Sequence, residues 1–199
     1  MNVVLIDAGG ANIGSLRYAF ERLGVDAKLS ADADVIASAD RVVLPGVGTA
    51  AAGMARLHEL DLVSVVRNLR QPLLGICLGM QLLFESSAEG EVECLGLLPG
   101  RVTLMPPAPG IRIPHMGWNH VQPCRAHPLL DGIDDSMQAY FVHSYAAPVT
   151  SDAIGICAHG DTFAAVVARG NCHGAQFHPE RSAAVGARLL GNFLSEAIA

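Results

Sequence analysis

The apolar positions divide the chain into two halves with different periods. In the first half, short apolar runs alternate with stretches whose apolar residues recur every three or four positions. Residues 2–7 read as a buried first strand. Residues 8–14 form a glycine-rich loop, and Ser15 is placed to cap a helix with Leu16, Ala19, Phe20 and Leu23 on one face, stopped by Gly24. Residues 25–29 read as a second strand, residues 31–39 as a short helix or turn, and residues 41–44 as a third strand closed by Pro45-Gly46-Val47-Gly48. Helical stretches follow over residues 49–57 and 62–69, and Gln71-Pro72 resets the chain for a strand that runs through Leu73-Leu74-Gly75-Ile76 into Cys77. A sharp turn at Cys77 and a helix starting at once are expected. Strands alternating with helices imply a parallel sheet with right-handed crossovers.

The pattern changes after the polar loop of residues 85–93. Strand-like runs with turns between them cover residues 101–105, 138–143, 154–158, 162–168 and 174–178, while 106–110 and 127–133 read as connections and 114–120 as loop-like. These predict mixed or antiparallel strands extending or flanking the parallel sheet. Residues 182–198 close the chain as a helix with Val185, Leu189, Leu190, Phe193 and Leu194 facing inward. The predicted fold class is therefore α/β, an open, twisted, mostly parallel sheet flanked by helices, with additional antiparallel strands in the C-terminal half. No internal repeat or dividing linker is visible, which predicts one domain over residues 1–199.

Composition narrows the function classes. An apolar content of 51% with 16% charged residues fits a well-buried α/β protein and argues against disorder. The formal charge is −6 and Lys28 is the only lysine, so there is no lysine-rich surface for nucleic acid. The first apolar run has no basic leader, and no run approaches membrane-spanning length, so a cytoplasmic protein is expected. The five cysteines, Cys77, Cys94, Cys124, Cys157 and Cys172, are odd in number and form no C-x-x-C pair. That fits reduced thiols better than a disulfide framework or a zinc site.

Cys77 stands out among them. Gly75 and Gly79 flank it at i−2 and i+2, as glycines flank the nucleophile of a strand–turn–helix elbow, and a helix N-terminus beside a thiol favours thiolate. The residues alone leave two readings open, a reactive thiol and a buried structural cysteine. A nucleophilic thiol needs a base, and His178-Pro179-Glu180 at the end of an apolar run offers an imidazole with a carboxylate to orient it. Pro45-Gly46-Val47-Gly48, also at a strand's C-terminal edge, is either an ordinary turn or a loop free to aim N–H groups at an oxyanion. The loop of residues 9–14 lacks the G-x-G-x-x-G spacing, and Ser15 stands where a P-loop needs lysine, which counts against a nucleotide site. Cys172-His173 with His178 lacks tetrahedral ligand spacing. Trp118, the only tryptophan, reads as an exposed contact or as local packing.

Taken together, these residues resemble the class I (triad-type) glutamine amidotransferases, and more narrowly the glutaminase subunits of imidazole glycerol phosphate synthase in histidine biosynthesis. The matching segments are Pro45-Gly46-Val47-Gly48, Gly75-Ile76-Cys77-Leu78-Gly79-Met80-Gln81, Pro114-His115-Met116-Gly117-Trp118-Asn119, Tyr140-Phe141-Val142-His143-Ser144-Tyr145 and Gln176-Phe177-His178-Pro179-Glu180. They occur in family order from end to end. The cysteine elbow and His-Pro-Glu carry the wider resemblance, and the Trp118 and His143 segments carry the narrower one.

The resemblance implies a flavodoxin-like fold and a set of roles. Cys77 would be the nucleophile, His178 the general acid and base, and Glu180 its orienting partner. The backbone N–H of Leu78 and those of Gly46, Val47 and Gly48 would form the oxyanion hole. Gln81, Glu89, Ser144 and Tyr145 would hold the glutamine amino and carboxylate groups. Asn12, His115, Met116, Trp118, Asn119 and Arg181 would face a (β/α)₈ cyclase subunit in a heterodimer. Glutamine would be hydrolysed to glutamate and ammonia through a cysteine thioester, and the cyclase would use the ammonia to form imidazole glycerol phosphate and AICAR. No metal or organic cofactor is implied. Ala8 and Ala11 replace the family's usual tyrosine and glycine, and Arg181 its usual lysine, which touches docking and not the chemistry. A glutaminase of another pathway is the near alternative, against which the Trp118 segment speaks. A non-catalytic binding module is the distant one, and such a module has no need of Cys77, His178 and Glu180 together.

Overall fold

The structure, a computed structural model, describes residues 1–9 and 13–198. The first half runs β1 (Val3–Ile6), α1 (Ile13–Glu21), β2 (Lys28–Ser30), α2 (Ala33–Ala37), β3 (Arg41–Gly46), α3 (Ala50–Glu59), α4 (Leu62–Arg67), β4 (Leu73–Cys77) and α5 (Leu78–Gln81). The second half runs β5 (Ser86–Ser87), β6 (Val92–Glu93), β7 (Arg101–Leu104), β8 (His115–His120), β9 (Gln122–Pro123), β10 (Gln138–His143), β11 (Tyr145–Ala146), β12 (Ala153–His159), β13 (Asp161–Arg169), β14 (Cys172–Ala175) and α6 (Ala183–Leu194).

Among the described residues the main sheet has eight strands in the order β2-β1-β3-β4-β14-β13-β12-β9. Pairing is parallel from β2 through β14, and β13, β12 and β9 are added antiparallel. The inner strands β1 and β4 are buried along their whole length and read as unbroken runs of apolar or small residues, whereas β2 at the sheet edge is largely exposed. In β1, Val3 and Leu5 enter one core cluster with Phe20, Phe177 and Phe193, while Val4 and Ile6 enter the other with Met54, Leu57 and Phe84. Complete burial of side chains such as Phe20, Phe84 and Leu44 stabilises the fold by roughly 1.5–3 kcal/mol each. A ribbon of β8 with β10 and a small sheet β11-β7-β5-β6 flank this layer.

One pairing positions the site. β14, from the far end of the chain, lies parallel to β4 with Cys172 opposite Leu73 and Ala175 opposite Ile76. The C-terminal ends of the two strands therefore emerge side by side, one carrying Cys77 and the other leading to His178.

Three local readings are corrected. Ser15 does not cap α1, which already begins at Ile13. The second strand starts at Lys28, because the chain before it closes α1: Gly24 takes φ 79° and the Val25 N–H bonds the Phe20 carbonyl at 3.1 Å. The helix expected directly after Cys77 does start there, at Leu78, and is a single turn. The carbonyls of Leu82, Leu83 and Phe84 are taken by the N–H groups of Leu95, Leu97 and Gly96 at 2.8–2.9 Å, which draws the chain away from the helix axis. Residues 115–120 form a strand and not a loop-like segment, paired antiparallel with β10 from His115–His143 to His120–Gln138.

Candidate active site

Cys77 ends β4 with φ 54° and ψ −113°, a strained conformation for a residue with a side chain, costing of order 1–3 kcal/mol. Its neighbours allow it. A β-carbon on Gly75 would stand 2.6 Å from the Gly79 carbonyl oxygen and 2.7 Å from the Met80 nitrogen, so the chain folds back on itself only with glycine there. The sulfur lies 3.8 Å from the Val142 carbonyl oxygen and 3.9 Å from Gln176 Nε2.

His178 is fixed through its backbone. Its N–H donates to the Tyr140 carbonyl at 3.0 Å, and Ser182 Oγ donates to its carbonyl at 2.7 Å while accepting from the Tyr140 N–H at 2.9 Å. Pro179 opens a 3₁₀ turn, Pro179–Arg181, that brings Glu180 under the imidazole, with Nδ1 2.9 Å from Glu180 Oε1. The Nδ1–H donates to the carboxylate, which leaves Nε2 for the sulfur. Burial alone pulls the imidazole pKa down, but hydrogen bonds to Cys77 and Glu180 and the negative charge of both outweigh it and push the value up to about 10.

Cys77 and His178 open onto a cleft of ≈ 320 Å³. Val47, Gly48 and Leu78 line one side of it, and Gln81, Glu89, Ser144 and Tyr145 also line it. Gly46 does not; it packs on the elbow, where a β-carbon would stand 2.6 Å from the Gly79 nitrogen, and borders a smaller hollow beside Glu180. Glu89 Oε2 accepts the Ala50 N–H at 2.8 Å, which ties the cleft to the start of α3.

The residues expected at a partner surface separate. Met116 and Trp118 are 64% and 51% exposed, Trp118 meets the Tyr140 ring edge-on, and the Arg181 guanidinium lies 4.8 Å over the same ring. His115 is corrected: at 3% exposure it points inward, stacked on His159 and Phe141, because β8 alternates its side chains. Asn119 donates to the Ala158 carbonyl at 2.9 Å and lies 3.2 Å from His115 Nε2. Asn12 and Ala11 lie outside the described residues. No group of three or more His, Cys, Asp or Glu among the described residues could hold a metal ion, and no described helix is long and apolar enough to cross a membrane.

Two residues of the site were not singled out from sequence. His143 lines the cleft, 3.1 Å from His115 through Nε2 and 2.8 Å from the Tyr145 carbonyl through Nδ1. Burial pulls its pKa down to about 4, so it stays neutral beside His178. The alternation Ala139, Phe141, His143 in β10 is the signal that places it inward. Gln176 is fully buried against Cys77, and a lone glutamine in an apolar run carries no such signal.

The glutamine amidotransferase class-I family matches residues 4–197 of the chain. The imidazole glycerol phosphate synthase subunit HisH of Xanthomonas axonopodis pv. citri is 63% identical over 193 residues, 97% of this chain and 96% of its own. That of Xylella fastidiosa (strain Temecula1) is 59% identical over 192 residues, 96% of each chain. Among solved structures, a glutamine amidotransferase superposes with TM-score 0.76 over 99% of both chains at 20% identity. A glutamine amidotransferase from Thermotoga maritima superposes with TM-score 0.62 over 96% of this chain and 80% of that one at 18% identity. At such identities the superpositions speak for the fold alone. With the family matched along almost its whole length, the chain belongs to the class I glutamine amidotransferases, in the branch of the imidazole glycerol phosphate synthase subunit HisH.

Proposed function

We propose that the chain is the glutaminase subunit of imidazole glycerol phosphate synthase, a single glutamine amidotransferase domain over residues 1–199 that supplies ammonia to a cyclase subunit. The observation that carries this is Cys77 on a positive-φ elbow, lining one cleft with His178, whose Nδ1 lies 2.9 Å from Glu180. The Cys77 thiolate attacks the side-chain amide carbon of glutamine, and the carbonyl electrons move onto oxygen. Backbone N–H groups of Leu78 and of the 46–48 loop stabilise that oxyanion. As the C–N bond breaks, His178 gives its proton to nitrogen and ammonia leaves, with a thioester on Cys77. Water then attacks the thioester, His178 takes its proton, and glutamate and the thiolate are released. Glu89 suits the α-ammonium group, as does Gln81 Oε1, since the Gln81 amide hydrogens go to Tyr145 and Gln176, with Ser144 and Tyr145 holding the rest of the glutamine backbone.

Ammonia released into water is protonated and lost, which argues for delivery to a bound partner. The exposed pair Met116 and Trp118 with Arg181 over Tyr140 offers the docking face for a (β/α)₈ cyclase in a heterodimer in the cytoplasm. The test is glutamate release by the chain with and without that cyclase. Turnover in the complex is expected, coupled to imidazole glycerol phosphate formation, and the absence of glutamine turnover in the complex would overturn the reading.

A further inference from the structure

The chemistry above leaves Gln176 without a role, although its amide lies against the nucleophile. Gln176 Oε1 accepts a hydrogen bond from Gln81 Nε2 at 2.9 Å, and the same nitrogen donates to the Tyr145 carbonyl at 2.8 Å. Both hydrogens of the Gln81 amide are thereby committed. A backbone carbonyl can only accept, so the direction of this chain of bonds is set at Tyr145 and passes through Gln81 to Gln176. The Gln176 amide cannot turn over without setting two NH₂ groups against each other. Its Nε2 is therefore the end that faces Cys77 Sγ, at 3.9 Å.

We propose that Gln176 is a hydrogen-bond donor to the catalytic sulfur that favours its thiolate form, and that Gln81 and the Tyr145 carbonyl impose the amide orientation this requires. The inference rests on Cys77 being the nucleophile. As a thiol, Cys77 has an acceptor in the Val142 carbonyl at 3.8 Å. As a thiolate it loses that bond and faces the carbonyl dipole unfavourably, so donors are needed on its other sides. His178 is one and Gln176 Nε2 is the other. A weak N–H···S contact to a neutral thiol becomes a charge-assisted bond when the sulfur ionises.

The test is the pH dependence of Cys77 alkylation by iodoacetamide in the full chain, with each modified cysteine resolved by peptide mass spectrometry. Gln176→Met removes the donor at similar volume, and Gln176→Glu keeps the acceptor for Gln81 but replaces the N–H. Both are expected to raise the half-maximal pH at Cys77 by about one unit, slowing alkylation at neutral pH roughly tenfold. Gln81→Met, which frees the Gln176 amide to turn, is expected to shift it the same way by less. The other titratable groups lining the cleft, His178, His143, Glu89 and Tyr145, are unchanged in these variants. Exposed Cys124 serves as the rate reference, and continued protection of buried Cys157 and Cys172 reports an intact fold. An unmoved half-maximal pH in variants whose buried cysteines stay protected would overturn the inference. Retained glutamine turnover by wild-type protein fully alkylated at Cys77 would instead overturn the nucleophile assignment on which it rests.

Discussion

Gly79 is packed so closely on β3 that a β-carbon on it would overlap the main-chain carbonyl oxygen of Leu44. The elbow carrying Cys77 is thus pressed against the neighbouring strand, and no side chain fits between them. Gly79→Ala is expected to cost about 1–3 kcal/mol of stability, as overpacking does, and to reduce glutamine turnover further by displacing the sulfur. Thermal unfolding together with turnover measured well below the transition checks both, and an unchanged melting temperature with unchanged turnover would refute the packing argument.

Gly48 behaves differently. It takes φ 95°, yet a β-carbon on it would meet nothing within 4 Å. Gly48→Ala therefore carries only backbone strain, of order 1 kcal/mol, without a clash. Should the 46–48 loop supply an oxyanion N–H, its displacement is expected to lower turnover by about 10²–10³. Denaturant titration and steady-state kinetics on the same sample separate the two effects, and unchanged kinetics would exclude the loop from the chemistry.

The titrating histidines set opposite pH limits. Hydrogen bonds and charge from Cys77 and Glu180, overcoming burial, raise His178 from 6.5 to about 10. The folded state therefore holds a proton that the unfolded chain sheds, and this stability is whole below pH 6.5 and lost as pH rises through about 10. Burial lowers His115 to about 3, and His143 and His173 to about 4. Their contribution is whole above pH 6.5 and lost as pH falls toward those values, because the unfolded chain then binds protons the core excludes. Denaturant midpoints are expected to peak near neutrality. Glu180→Gln should flatten the alkaline limb and His143→Gln the acid limb, and a midpoint constant from about pH 5 to 9 would contradict this.

The fold class was legible, and Cys77, His178 and Glu180 stood out as candidates, because short-range signals carry them: apolar runs, glycine punctuation and a His-Pro-Glu triplet. What was not legible depends on long-range pairing. Nothing local says that β14 lies beside β4, nor that residues 82–84 bond residues 95–98 and so end α5 after one turn. His115 illustrates the same limit. With β8 read as a loop, His115 was placed on the partner face beside Trp118, and pairing with β10 turns it into the core while leaving Trp118 outside. Gln176 became visible only once Gln81 and Cys77 were brought against it.

Trp118 packs edge-on against Tyr140 with half its surface exposed, so its removal exposes little core. Trp118→Ala is expected to shift stability by no more than about 0.5 kcal/mol, as at surface positions generally, while weakening association with the cyclase. Titration calorimetry with the cyclase checks this, and unchanged affinity would remove the Trp118 face from the interface.

The most direct measurement is the Cys77→Ala chain in complex with the cyclase, assayed in parallel with glutamine and with an ammonium salt. Glutamine-driven synthesis is expected to disappear and ammonium-driven synthesis to survive, since only the source of ammonia is lost. Glutamine hydrolysis continuing at the wild-type rate would contradict the assignment of Cys77 as the nucleophile and the mechanism built on it.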